Sequence, residues 1–86
     1  MYYVYIVECA DGTYYTGYTT DIERRVEEHN RGEGAKYTRG RLPVKPVYQE
    51  EFKTKSQAMK REDEIKHLTR SEKENLINKS SFNQNN

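Results

Sequence analysis

The sequence predicts an α+β fold: a small three-stranded, mainly antiparallel sheet flanked by helices, in the order β-β-α-β-α-α. Three observations carry this. Two runs rich in β-branched and aromatic residues, Tyr2 to Cys9 and Thr13 to Thr19, are joined through Asp11-Gly12, a strong hairpin signal. A third such run, Val47 to Phe52, follows a long connection. Three further segments open with Ser or Thr placed three residues before Glu or Gln, the signature of a helix start. With 86 residues the chain suffices for one domain with one modest core. Residues 1–79 are expected to form it, and 80–86, a polar SSFNQNN tail, to be disordered.

The hairpin loop length decides which side chains share a face. A two-residue Asp11-Gly12 turn pairs positions summing to 23 and separates Tyr5 from Tyr15. A three-residue Ala10-Asp11-Gly12 loop, with Gly12 left-handed, pairs positions summing to 22 and puts both tyrosines on one face. The three-residue loop is the expectation taken here. The first helix is expected to be capped by Thr20 with Glu23 and to stop at Gly32. Its inward stripe is Ile22, Val26 and His29, with Arg25 alongside and one turn before His29. Glu33 to Pro46 reads as an irregular connection, broken by Gly34, Gly40, Pro43 and Pro46. After the third strand, Thr54 with Gln57 opens a helix to about Leu68, with Ala58, Met59, Ile65 and Leu68 apolar. Ser71 with Glu74 opens a short last helix carrying Leu76 and Ile77.

Composition excludes some classes. The lone Cys9 rules out an internal disulfide and a cysteine-rich zinc site, and suits a reducing cytoplasm. The N-terminal apolar run is too short to span a bilayer and has no basic leader, so no membrane association is expected. A net charge of +1 gives no overall argument for nucleic-acid binding. The distribution does: between Arg31 and Pro46, five cations (Arg31, Lys36, Arg39, Arg41, Lys45) face one anion, Glu33, and surround Tyr37. Such a loop is either a solvated charged surface or a phosphate footprint with Tyr37 as a stacking face.

Five side chains are candidates for chemistry. Glu62 interrupts the apolar stripe of its helix, four residues after Ala58 and three before Ile65. A carboxylate there is either bonded to a tyrosine, lysine or arginine, or it is a ligand for Mg²⁺, which needs only one or two protein carboxylates beside substrate phosphates. Arg25 either lays its stem on apolar surface or clamps a phosphate. His29 is either a helix-end histidine or a proton relay. Tyr5 and Tyr15 are either strand tyrosines with bonded hydroxyls or acid–base groups. With an ordinary pKa of about 10, a basic tyrosine needs a nearby cation.

In its order and spacing this set resembles the GIY-YIG nuclease superfamily, over Tyr2 to Ile77, and is most similar to its small stand-alone bacterial group. It is also similar to the N-terminal nuclease domain of UvrC and to Slx-type nucleases. Tyr3-Val4-Tyr5 stands for the first triplet and Tyr15-Thr16-Gly17 for the second. Arg25 and His29, in ERRVEEHN, match the helix-one positions, and Glu62, in AMKREDEIK, the metal-binding glutamate. Tyr18 stands where UvrC-type domains carry a lysine. The resemblance implies one divalent ion, Mg²⁺ or Mn²⁺, held by Glu62 on the scissile phosphate. It implies that Tyr5, with His29, helps deprotonate the attacking water, and that Arg25 and Tyr15 stabilise the transition state; which tyrosine is the base stays open.

The expected function is metal-dependent hydrolysis of DNA phosphodiesters, on branched, nicked or single-stranded structures in repair or recombination, by a cytoplasmic monomer with no protein partner assigned. The alternative is a nucleic-acid-binding module with weakened or lost catalysis. A third reading is a small partner-binding domain of nuclease ancestry.

Overall fold

The hairpin loop sets the register of the whole sheet. In a computed structural model, which describes residues 1–79, β1 (Tyr2–Cys9) and β2 (Tyr14–Thr19) pair antiparallel with Tyr5 opposite Gly17 and Val7 opposite Tyr15. This is the three-residue-loop register. Cys9 N–H donates to the Thr13 carbonyl at 2.8 Å and Gly12 N–H to the Cys9 carbonyl at 2.9 Å. Gly12 has φ 85°, a left-handed conformation that glycine adopts without penalty.

The strand order is β2-β1-β3, with β3 (Val44–Phe52) also antiparallel to β1. Central β1 is covered on both faces, so Val4, Tyr5, Ile6 and Val7 are all 1% exposed or less. Val4 and Ile6 join Val47, Tyr48, Ala58, Ile65 and Ile77 in one core. Tyr5, Val7 and Cys9 join Val44 in a second, on which Ile22 and Val26 pack. The alternation of β1 thus decides which residues face which helices.

Strand β3 begins three residues earlier than the sequence suggests and runs through Pro46. A bulge makes this possible: Ile6 pairs with Tyr48 and Val7 with Pro46, leaving Val47 as the extra residue. Pro46 lacks an N–H but lies on an edge strand, where proline is tolerated. The Asn30 side chain anchors the strand start, accepting from Val44 N–H at 2.7 Å and donating to its carbonyl at 3.1 Å.

The helices are α1 (Ile22–Asn30), α2 (Lys36–Arg39), α3 (Lys55–Lys66) and α4 (Arg70–Lys79). Two of the three expected caps move. Asp21, not Thr20, caps α1 by accepting from Arg24 N–H at 3.0 Å. Thr69, not Ser71, caps α4: Glu72 N–H donates to its hydroxyl at 3.1 Å and Thr69 N–H to the Glu72 carboxylate at 2.8 Å. Each shifted cap is one of several polar neighbours that fit the pattern, and the packed position of the helix selects among them. Thr54 caps α3 as expected, with Gln57 N–H at 3.1 Å. Helix α3 ends at Lys66, and Met59, expected to be apolar core, is an exposed methionine on its outer side. The connection after α1 is not wholly irregular: α2 forms within it and buries Thr38. The expected tail, 80–86, lies outside the described residues. Among the described residues, no helix is long and apolar enough to cross a membrane.

Candidate active site

Tyr5 is the centre of a polar cluster inside the second core. It is 1% exposed, and its hydroxyl lies 2.9 Å from His29 Nε2. Its ring is 6.5 Å from that of Tyr15, and both rings meet the His29 imidazole edge-on, at 6.0 and 5.4 Å. The space that the Tyr5 hydroxyl occupies comes from Gly17, its cross-strand partner. A Cβ on Gly17 would stand 2.6 Å from the Tyr5 hydroxyl and 2.9 Å from Cζ. The glycine of the second triplet is therefore the floor over which the tyrosine of the first triplet lies. Gly17→Ala is expected to push Tyr5 off His29 and to cost about 1–3 kcal/mol by overpacking. Urea unfolding checks this, and an unchanged midpoint would show that the ring has room to move.

His29 is held on its other side by two residues that sequence reasoning passed over. Its Nδ1 lies 2.8 Å from the Thr38 hydroxyl, and Thr38 is fully buried. The Thr38 hydroxyl donates to the Ala35 carbonyl at 2.9 Å, which assigns the Nδ1 proton as the donor to Thr38. The Ala35 N–H also donates toward the same nitrogen, at a longer 3.4 Å; that contact suits the opposite tautomer and is the weaker of the two. Nε2 is then the lone-pair nitrogen that accepts the Tyr5 hydroxyl. Gly34 gives the imidazole its place, since a Cβ there would meet Nδ1 at 2.3 Å. In the sequence Gly34 reads only as a breaker. Thr38 sits in a four-residue helix too short to show a period.

Burial, followed by the Arg25 charge, lowers the His29 pKa from 6.5, with Glu28 opposing. The folded state thus prefers neutral imidazole. The unfolded chain takes up a proton as pH falls through 6.5 while the folded chain resists it, so stability present above that pH is lost below it. The melting temperature is expected to fall between pH 7.5 and 5.5, and less so in His29→Gln. Parallel curves for the two proteins would contradict this.

Burial pushes the Tyr5 hydroxyl up to about 12. Arg25 opposes the rise, while neighbouring Tyr15 and the Glu62 charge add to it. Arg25 thus faces the hydroxyl from α1, held by Glu28 at 3.1 Å, and Glu62 acts on it from α3. Glu62 is the bordering residue its spacing suggests: its side chain is 17% exposed, between fully buried Ala58 and Ile65. It is paired with Lys66, one turn on, at 3.3 Å. His29, Tyr15 and Arg25 therefore gather at the Tyr5 hydroxyl, while Glu62 reaches it only through its charge, from α3. Of the motif's other members, Val4 and Thr16 face the opposite core side, and Tyr3 is half-buried beside them in sequence.

The basic loop divides. Arg31 pairs with Glu33 at 3.2 Å, Lys45 with Glu8 at 3.8 Å and Arg41 with Asp11 at 3.1 Å. Lys36 and Arg39 are exposed and have no ion pair among the described residues. Tyr37 is 41% exposed, and its ring stacks on Tyr15, which ties the loop to the cluster. A concavity of about 410 Å³ lies elsewhere, at the hairpin end between Cys9 and Pro43, and is lined by none of the five side chains. Among the described residues, no three His, Cys, Asp or Glu side chains gather as a metal site.

Comparison with known proteins matches residues 1–75 to the GIY-YIG catalytic domain. A UPF0213 protein of Halobacterium salinarum is 63% identical over 77 residues, covering 90% of this chain and all of that one. A UPF0213 protein of Staphylococcus aureus is 60% identical, covering 88% of this chain and 93% of that one. The solution structure of the UPF0213 protein from Bacillus halodurans is 54% identical, with a TM-score of 0.59, over 91% of this chain and 84% of that one. A second solution structure, of a protein from E. faecalis, is 48% identical with a TM-score of 0.61, over 91% and 83%.

Proposed function

The chain belongs to the GIY-YIG family of catalytic domains, and from that premise we propose that it hydrolyses phosphodiester bonds of DNA with the help of one divalent cation. The observation that supports this most is the buried Tyr5 hydroxyl, held by His29 Nε2 and faced by Arg25 and Glu62. A hydroxyl kept only for stability needs one partner, not an imidazole, a guanidinium and a carboxylate around it.

The Glu62 donor set fits a hard cation. It offers oxygen only, it is partly open to solvent, and it already attracts a cation in Lys66. Mg²⁺ or Mn²⁺ would keep most of its waters in such a place. When bound, the ion would neutralise charge on the scissile phosphate and make the attacking water more acidic. Tyr5, with a hydroxyl at about 12, is a neutral phenol at pH 7. It therefore works as a relay: its oxygen takes the proton of the water as its own proton passes to His29 Nε2. Thr38 holds the imidazole in the tautomer that can accept. Arg25 and Tyr15 stand where negative charge develops on phosphorus. Branched, nicked or single-stranded DNA in repair or recombination is the substrate class in this reading. Lys36, Tyr37, Arg39 and Arg41 supply contacts to the strand, and a monomer in the cytoplasm accords with a buried free Cys9.

The second reading, a DNA-binding module with lost catalysis, is favoured by the Lys66–Glu62 pair, which already neutralises the carboxylate. Incubating the protein with branched, single-stranded and duplex DNA, with Mg²⁺ or with chelator, separates the two. Cleavage that needs Mg²⁺ supports the nuclease. Binding without cleavage supports the module, and no binding at low salt overturns both.

A further inference from the structure

We propose that the outer edge of β2 carries a pocket for one unpaired nucleotide, whose base stacks on the Tyr37–Arg41 surface and whose phosphate is held by Lys66 and Lys73. This rests on the nuclease reading and names the feature of the DNA that is recognised. The pocket, about 290 Å³, is lined by Tyr14, Tyr15, Thr16, Tyr37, Lys66 and Lys73. Its composition is that of a nucleotide site: an aromatic wall on one side and two ammonium groups on the other.

The aromatic wall is rigid. Tyr37 is exposed, yet its ring is fixed by stacking on Tyr15, with centroids 6.0 Å apart and planes 24° apart. The Arg41 guanidinium lies 4.1 Å from the Tyr37 ring centroid and donates to the Tyr37 carbonyl at 2.8 Å. Tyrosine and arginine planes are the surfaces on which unpaired bases stack. A paired base has both faces covered by its neighbours and cannot use them.

The polar wall lacks counterparts. Lys73 is half-buried and has no ion pair among the described residues. Of its two flanking acids, Glu74 is engaged by Arg70 at 3.2 Å and Glu72 accepts from Thr69 N–H at 2.8 Å. Lys66 has one partner, Glu62, at 3.3 Å, and keeps two of its three N–H donors for a phosphate. Two ammonium groups, one of them without a counter-ion, beside an aromatic platform suit an anion attached to a flat ring. The pocket also adjoins the candidate active site through Tyr15 and Lys66, so the nucleotide would flank the cleaved bond.

The test is metal-free titration of the full chain against 2-aminopurine DNA, paired throughout or with the probe base unpaired. Tight binding and quenched fluorescence are expected only for the unpaired probe. Tyr37→Ala is expected to weaken the unpaired complex about 10-fold, the scale of one base–aromatic stack, and duplex binding by clearly less. Tyr37→Phe is expected to restore it. Lys73→Gln is expected to flatten the salt dependence by about one phosphate contact. Equal affinity for both DNAs, or equal weakening of both by Tyr37→Ala, would overturn the pocket and leave the nuclease reading standing. Absence of binding to either DNA would overturn the nuclease reading itself.

Discussion

Glu62→Ala is expected to lower Mg²⁺-dependent DNA cleavage by about 10³-fold or more, the several kcal/mol that a metal supplies to a displacement at phosphorus. DNA binding at low salt is expected to survive. The separation follows from position. Glu62 is a carboxylate whose charge acts on the Tyr5 hydroxyl, and in the proposed mechanism its loss removes the anchor for the cation. The basic loop and Tyr37 belong to other elements and keep their places. The fold should survive as well. The Glu62 side chain is partly exposed, and its pair with Lys66 is an ion pair within one helix turn, a type worth about 0–1 kcal/mol. Residual cleavage equal to that of the parent protein would mean that the carboxylate takes no part.

Tyr5→Phe is expected to reduce cleavage by about 10²–10⁴-fold, the usual contribution of a positioned acid–base group. It keeps the ring that fills the second core and removes only the oxygen. The change also strips the imidazole of its buried partner on the Nε2 side, so a stability loss of about 1–3 kcal/mol should accompany it. Two readouts keep these effects apart. Loss of stability alone lowers activity only when the temperature approaches unfolding. Loss of the relay lowers it at every temperature, and also removes the acid limb of the pH–rate profile that neutral His29 imposes. A Tyr5→Phe protein that is destabilised but cleaves at the parent rate would reduce Tyr5 to a structural residue.

Much of this site was legible because the information is local. The Ala10-Asp11-Gly12 loop selects the register, and strand alternation then puts Tyr5 and Tyr15 on one face. Arg25 and His29 lie one helical turn apart, and Glu62 falls at a stripe position between Ala58 and Ile65. Thr54 was readable as a cap because no neighbouring Asp or Thr competes with it. Asp21 and Thr69 were missed because their helices have two candidates within two residues, and local pattern does not rank them. Met59 shows the same limit: an apolar residue in a short helix is buried only if the neighbouring element reaches it, and none does.

The sequence by itself determined the family and the hairpin register and singled out the five candidate side chains, since motifs, loop length and helical spacing are properties of a few adjacent positions. Tertiary structure alone decided that Thr38 and Gly34 wall in His29, that Pro46 enters a strand through a bulge, and that Lys66 and Lys73 share a pocket with Tyr15 and Tyr37. None of these has a periodic signal. Each depends on how helices α2, α3 and α4 settle against the sheet, and that is set by the summed burial of Ala58, Ile65 and Ile77 on one face and of Tyr5, Val7 and Val44 on the other.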